Sequence, residues 1–142
     1  MKAAALLAGV LVIAGATVVA TRVAASENRD RDGAGDVVDI TIHYSHFEPA
    51  NVSVHAGTTA RFVIHNTDPI GHEFIIGDAS VHERHERGTE AKHPPRPGEV
   101  SVGPGETVET TFHFDGPGQV MYACHLPGHF AYGMFGWANA KN

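Results

Sequence analysis

From residue 37 onward, apolar and polar positions alternate with a period of two. In VVDITIHY the residues Val38, Ile40, Ile42 and Tyr44 share one phase; NVSVH places Val52 and Val54 together; TARFVIHN places Ala60, Phe62 and Ile64; TVETTFHF places Val108, Thr110, Phe112 and Phe114. Successive side chains of a strand point to opposite faces, so each run predicts a half-buried strand. Between the runs stand Glu48-Pro49-Ala50, Ala56-Gly57, Asp68-Pro69, Gly103-Pro104-Gly105 and Gly116-Pro117-Gly118, all residue types that favour turns. Short strands at this spacing, with no amphipathic helical run of any length, predict an all-β domain built as an antiparallel sandwich or barrel.

The N-terminal stretch breaks that pattern. Residues 3–20 carry no charge, Arg22 follows, and Val23-Ala24-Ala25 supplies small residues suited to signal-peptide cleavage before Ser26. Eighteen uncharged residues also reach the lower limit for a membrane-spanning helix. Residues 1–25 therefore read as a signal peptide or an N-terminal membrane anchor; uncut, residues 3–20 would attach the chain to the membrane. The polar, glycine-containing SENRDRDGAGD (26–36) reads as a flexible linker, which leaves residues 37–142 as one domain, long enough to bury a core. Either fate of the leader places that domain outside the cytoplasm, in the periplasm or on the outer face of the cytoplasmic membrane.

Charge and cysteine content narrow the functions. Outside residues 1–25 lie 8 Lys and Arg against 16 Asp and Glu, a formal charge of −8. There is no basic run and no interleaving of basic with aromatic residues, so nucleic acid is excluded as a partner. No internal repeat and no glycine-rich phosphate loop occurs. Cys124 is the only cysteine of the sequence. In an exported chain a structural cysteine normally has a partner, so an unpaired one signals an intermolecular bond or a thiol used chemically.

Strand phase also sorts the eleven histidines. His43, His55, His65 and His113 fall out of phase with the apolar residues of their strands and are expected on the solvated face. His72, in GHEFIIG, instead shares its phase with Phe74 and Ile76, while Glu73 faces away. In GQVMYAC, Cys124 shares its phase with Val120 and Tyr122, and His125 points to the opposite side. One imidazole and the thiol thus face inward at the ends of two apolar strands.

The stretch YACHLPGHFAYGM (122–134) gathers the remaining chemistry. Fully extended it would span roughly 43 Å, so Cys124, His129 and Met134 meet only if the chain folds back. Pro127-Gly128 supplies a turn and Gly133 a permissive point of return. A soft thiolate, two imidazoles and a weak axial thioether, contributed by Cys124, His72, His129 and Met134, form the ligand set of a mononuclear blue-copper electron-transfer site. A structural zinc site would use several cysteines and would have no use for Met134. Against this stand blander roles: an inert buried thiol, a satisfied core histidine and a space-filling methionine.

Those residues resemble the cupredoxin family of small blue-copper proteins. FEPANVSVHAGTTARFVIHNTDPIGHEF (47–74) is similar to the family's N-terminal half, with a Pro turn, a V-x-V strand, a Gly turn and an apolar strand ending in Asn66 before the first ligand histidine. YACHLPGHFAYGMFG resembles its C-terminal ligand loop, and the C-x4-H-x4-M spacing is similar to that of rusticyanin and the sulfocyanins. The resemblance covers residues 38–140. It implies a Greek-key β-sandwich of about eight strands with one type 1 copper at one end, and copper ligands His72, Cys124, His129 and Met134. Glu73 and His125, titratable and adjacent to ligands, depart from the pattern.

A second departure is DASVHERHERGTEAKHPPRPGEV (78–100), whose His82, His85, Glu86 and His93 form a candidate second metal site, with His82 and Glu86 neighbours if the segment is helical. The alternative, a solvated loop rich in charge, is the expectation. Three functional classes follow. The first is an electron carrier, monomeric and meeting redox proteins by transient contact through Leu126, Pro127, Phe130, Ala131 and Tyr132 around an exposed edge of His129. The second is a copper-sequestering or copper-delivery protein of the cell envelope. The third, a cysteine hydrolase, lacks an orienting residue and an oxyanion loop.

Overall fold

The computed structural model describes residues 35–88 and 93–142. The leader (1–25) and most of the linker (26–36) therefore lie outside the described residues. Nine strands and one helix follow in the order β1 (Val37–His43), β2 (His46–Glu48), β3 (Asn51–His55), β4 (Thr59–Asn66), β5 (His72–Gly77), α1 (Ala79–Glu86), β6 (Glu99–Val102), β7 (Thr107–His113), β8 (Gly118–Ala123) and β9 (Phe135–Lys141). They form a two-sheet sandwich with strand orders β2-β1-β4-β7 and β3-β9-β8-β5-β6.

Each period-two run became a strand. Val38, Ile40 and Ile42 of β1, Ala60, Phe62 and Ile64 of β4, and Phe74 and Ile76 of β5 are buried in one continuous core. Burying each large aliphatic or aromatic side chain contributes about 1.5–3 kcal/mol. At the centre, Phe74 stacks on Tyr122 at a centroid separation of 5.3 Å and meets Phe47 edge-on at 5.8 Å. Gly136 lies directly opposite Tyr122 in the β8–β9 register, and a Cβ there would come within 2.4 Å of the Tyr122 ring. The missing side chain lets that ring lie flat across β9, and the Tyr122 hydroxyl donates to the carbonyl of Pro49 at 2.7 Å.

Three expectations need correction. The sheets are mixed: β1 pairs with β4, and β3 with β9, in parallel. The chain moves from the first sheet to the second at β3 and back at β4, so some neighbours are joined by crossings instead of hairpins. Tyr44 does not extend β1: it and Ser45 adopt positive φ (47° and 55°), turn the chain into β2, and leave the Tyr44 ring 80% exposed. The segment after β5 is a helix where a solvated loop was expected. Asp78 caps it, its Oδ1 accepting from the backbone N–H of Ser80 (2.8 Å) and Val81 (3.1 Å), a contribution of about 1 kcal/mol. Arg84 occupies the last turn, where a cation complements the helix dipole. Among the described residues no helix is long and apolar enough to cross a membrane.

The four outward histidines behave as expected: His55 and His113 are exposed, and His43 and His65 are half-buried at the solvated face. Each bonds to a hydroxyl or carboxylate, His43 to Thr67 (3.1 Å), His55 to Asp36 (2.9 Å), His65 to Thr107 (2.9 Å) and His113 to Thr59 (3.0 Å).

Candidate metal centre

His72 opens β5 and Cys124 directly follows β8, two antiparallel neighbours of one sheet, so their side chains emerge side by side at one end of the sandwich. The chain between Cys124 and β9 then folds over them. His129 N–H donates to the Leu126 carbonyl at 3.0 Å, closing a turn around Pro127-Gly128, and Gly128 takes φ 87°, a conformation other residues adopt at a cost. Tyr132 and Gly133 continue as a helical turn, bonding back to Gly128 (3.0 Å) and Phe130 (2.9 Å). Two backbone bonds lock the loop: Met134 N–H to the His129 carbonyl at 3.0 Å, and Cys124 N–H to the Met134 carbonyl at 3.1 Å. The return at Pro-Gly and Gly133 is the one expected from the sequence.

The result is a convergence of donors. Ligand atoms of His72, Cys124 and His129 all lie within 4.8 Å of one another, and Cys124 Sγ stands 3.3 Å from His129 Nδ1. His72 and Cys124 are buried, His129 half-buried. Met134 is 1% exposed, packed in the same core cluster, and tied through its backbone to both Cys124 and His129.

The electrostatics prepare these groups for a metal. His72 Nε2–H donates to Asp68 Oδ2 at 3.0 Å, which fixes the tautomer and leaves Nδ1 a lone-pair acceptor. His72 Nδ1 is buried with no hydrogen-bond partner, the sole such side-chain atom among the described residues. A buried orphan acceptor costs about 1–3 kcal/mol unless something occupies the site it addresses. Burial holds His72 below its ordinary value, with the charge of His129 adding to the effect and Asp68 opposing it, which favours the neutral ring. Asp68 sits below the ordinary carboxylate range: burial pushes it up, but the backbone N–H groups of Ser45 (2.7 Å) and Tyr44 (2.8 Å) and the bond to His72 outweigh that. Burial pushes the Cys124 thiol up to about 11, partly offset by backbone N–H groups, among them Glu73 N–H at 3.4 Å. With its proton in place the thiol suits the interior; a bound cation would displace that proton.

Sequence reasoning missed Asp68. Its signal was present, since Asp68 stands four positions before His72 in a D-P turn, but that turn chemistry gave no hint that the carboxylate turns inward. Asn66 completes the scaffold: its Nδ2 donates to the carbonyls of Ile70 (2.8 Å) and Gly103 (2.9 Å), and its Oδ1 accepts from Asp68 N–H at 3.0 Å.

The histidine-rich insert resolves into two groups. His82 Nδ1 and His125 Nε2 are 2.9 Å apart, and His125 Nδ1–H donates to Glu86 Oε2 at 2.9 Å, so His82 and Glu86 do share a helix face but bracket His125. His85 and His93 meet Glu99 of β6, and their ligand atoms lie within 4.8 Å of one another. The four candidates of the insert thus divide, and Glu99 was not among them. Glu73 and His125, the neighbours of His72 and Cys124 in the chain, line a cleft between α1 and the 124–134 loop together with Glu86, Leu126 and Phe130.

A family model described as a cupredoxin-like domain matches residues 9–135. The chain belongs to the cupredoxin family. Solved structures share its architecture: auracyanin from Roseiflexus castenholzii superposes with a TM-score of 0.63 at 23% identity, over 78% of this chain and all of the other, and auracyanin A from Chloroflexus aurantiacus with 0.60 at 23%, over 74% and 98%. Among curated relatives, the copper-resistant cuproprotein CopI of Pseudomonas aeruginosa is 28% identical over 70% of this chain and 72% of its own length. Its namesakes from Rubrivivax gelatinosus and Vibrio cholerae are each 37% identical, over 63% and 59% of this chain. The chain spans 56% and 52% of the length of those two.

Proposed function

We propose that this chain is an exported, mononuclear blue-copper protein that takes up and releases single electrons, with His72, Cys124, His129 and Met134 as the ligands of one type 1 copper. The observation that carries the reading is the buried, partnerless Nδ1 of His72, held in place by Asp68 beside the thiol and the second imidazole. A bound copper supplies a Cu(I)/Cu(II) couple, for which sulfur and nitrogen donors together are suited. The chain's residues do the rest. Asp68 orients one imidazole, the Cys124–Met134 and Met134–His129 backbone bonds hold the loop rigid, and the core around Met134 excludes water. A rigid donor set needs little rearrangement when an electron arrives or leaves.

The half-buried His129 and the loop around it form the exit. Ala131 and Tyr132 are exposed, Tyr132 at 86%, while Phe130 packs against His125 and Phe135 at 5.0 and 5.8 Å. An apolar collar of this kind suits a partner that docks and leaves quickly. On this reading the protein is a carrier and not an enzyme, and the leader over residues 1–25 delivers it across the membrane.

A second reading, copper handling in the cell envelope, is favoured by the relatives named copper-resistant cuproproteins. One experiment separates the two. Protein loaded with Cu(II) is mixed with its reduced, Cu(I)-loaded form to measure electron self-exchange, and the copper-loaded protein is separately mixed with a Cu(I) chelator. A carrier exchanges electrons rapidly and keeps its metal; a handling protein surrenders copper to the chelator faster than it exchanges electrons.

A further inference from the structure

We propose that His85, His93 and Glu99 form a second metal site, for a borderline divalent ion of the Cu(II) class, distinct from the Cys124 centre. His85 comes from the last turn of α1, Glu99 from the first position of β6, and His93 from the connection between them. His85 Nε2 lies 2.9 Å and His93 Nε2 3.5 Å from the same oxygen, Glu99 Oε2. Metal–ligand bonds of about 2.0–2.2 Å at right or tetrahedral angles put neighbouring donor atoms about 2.9–3.5 Å apart. Both spacings to Glu99 Oε2 fall in that range, and the three donor atoms all lie within 4.8 Å of one another.

Hydrogen bonding points the same way. His93 Nδ1–H donates to the Pro94 carbonyl at 2.7 Å, so the neutral ring presents its Nε2 lone pair to the Glu99 carboxylate. Two acceptors facing each other require a cation between them, a proton or a metal. His85 is 5% exposed and Glu99 8%, so the donors are prearranged and largely dry. Arg84 reaches Glu99 Oε1 at 3.3 Å, which leaves Oε2 toward the imidazoles; Arg96, at 3.7 Å from Oε2, competes for it and sets the affinity below that of a purely anionic site.

Two imidazoles and one carboxylate, with no sulfur, select Cu(II) over Cu(I), the reverse of the preference at the thiolate centre. Three protein ligands leave a position for water, so ions can enter and leave. The His85 ring lies against His125 at 6.0 Å and nearly parallel, and His125 follows Cys124 directly, so the two sites share one structural unit. The site does not rest on the blue-copper reading; that reading guides only the choice of probe.

The test is a titration of the full protein with Cu(II), followed by absorbance and electron paramagnetic resonance. The first equivalent is expected to give the thiolate charge-transfer band and the second a normal copper spectrum without added colour. In the His85→Ala/His93→Ala double variant the second equivalent should weaken by at least tenfold, and in Glu99→Gln by about tenfold, with the band of the first unchanged. If the double variant does not fold, Glu99→Gln decides. Cys124→Ser protein should lose the band yet still bind the sulfur-free equivalent, which separates failure of this proposal from failure of the blue-copper reading. Saturation of the wild type at one equivalent, or a second equivalent retained within twofold in the variants, would overturn the proposal.

Discussion

Asp68 Oδ2 accepts the Nε2 proton of His72 at 3.0 Å, and that single bond leaves the buried Nδ1 as the nitrogen of His72 with a free lone pair. The carboxylate has no freedom to turn away, because Tyr44 and Ser45 donate to its two oxygens.

Asp68→Asn should therefore weaken copper binding by about 10–100-fold. An amide has one acceptor oxygen, so its NH2 must face either the Tyr44 N–H or the His72 and Ser45 donors. The fold should lose about 1–3 kcal/mol as well. Competition titration against a chelator measures the first effect and thermal unfolding the second; affinity within twofold of wild type would show that His72 needs no orienting partner.

How much of this was visible in the sequence depends on the range of the interaction. Strand phase put His72 and Cys124 on the inner face correctly, because alternation is a local property that burial of one face enforces. The fold-back between Cys124 and Met134 was legible because Pro127-Gly128 and Gly133 impose their backbone conformations whatever surrounds them. α1 was not, since its only apolar residue of helical phase is Val81 and its buried face is made of His82 and His85. Histidine there looks solvated until Met121, His125 and Glu99 are brought alongside by other strands. Asp68 and Glu99 were missed for the same reason: their partners are set by tertiary packing and not by spacing.

Met134→Leu should keep copper and raise the reduction potential, because a weak donor to Cu(II) is removed while the hydrophobic volume stays. Met134 is 1% exposed, and a volume-conserving swap costs less than about 1.5 kcal/mol. Voltammetry of both forms is the check, and an unchanged potential would make Met134 a core residue only.

Copper uptake should depend on pH through the thiol. Burial places the Cys124 thiol at about 11, so below that value each uptake event displaces its proton. The sign follows directly: raising the pH lowers the cost of deprotonation, and the apparent affinity should rise about tenfold per unit between roughly pH 7 and 9. A chelator-buffered titration series gives the slope, and a flat profile would mean that Cys124 is already a thiolate in the metal-free protein.

Ala131→Glu introduces a charge into the exposed collar beside His129 without touching a ligand. Electron self-exchange brings two such collars together, so like charges should slow it by about tenfold, more at low salt, with spectrum and potential unmoved. Rates within twofold of wild type would show that electrons leave by another face.

The most direct test of the central claim is optical titration of the metal-free protein with Cu(II), alongside Cys124→Ser. Wild type should develop an intense thiolate-to-copper band that saturates at one equivalent, bleaches with reductant and returns on oxidation. Cys124→Ser should remain folded and develop no such band, because the hydroxyl keeps the volume but is a hard, barely ionised donor. A wild-type protein that binds copper without the band, or a serine variant that keeps it, would contradict the assignment of Cys124, His72 and His129 as the copper site.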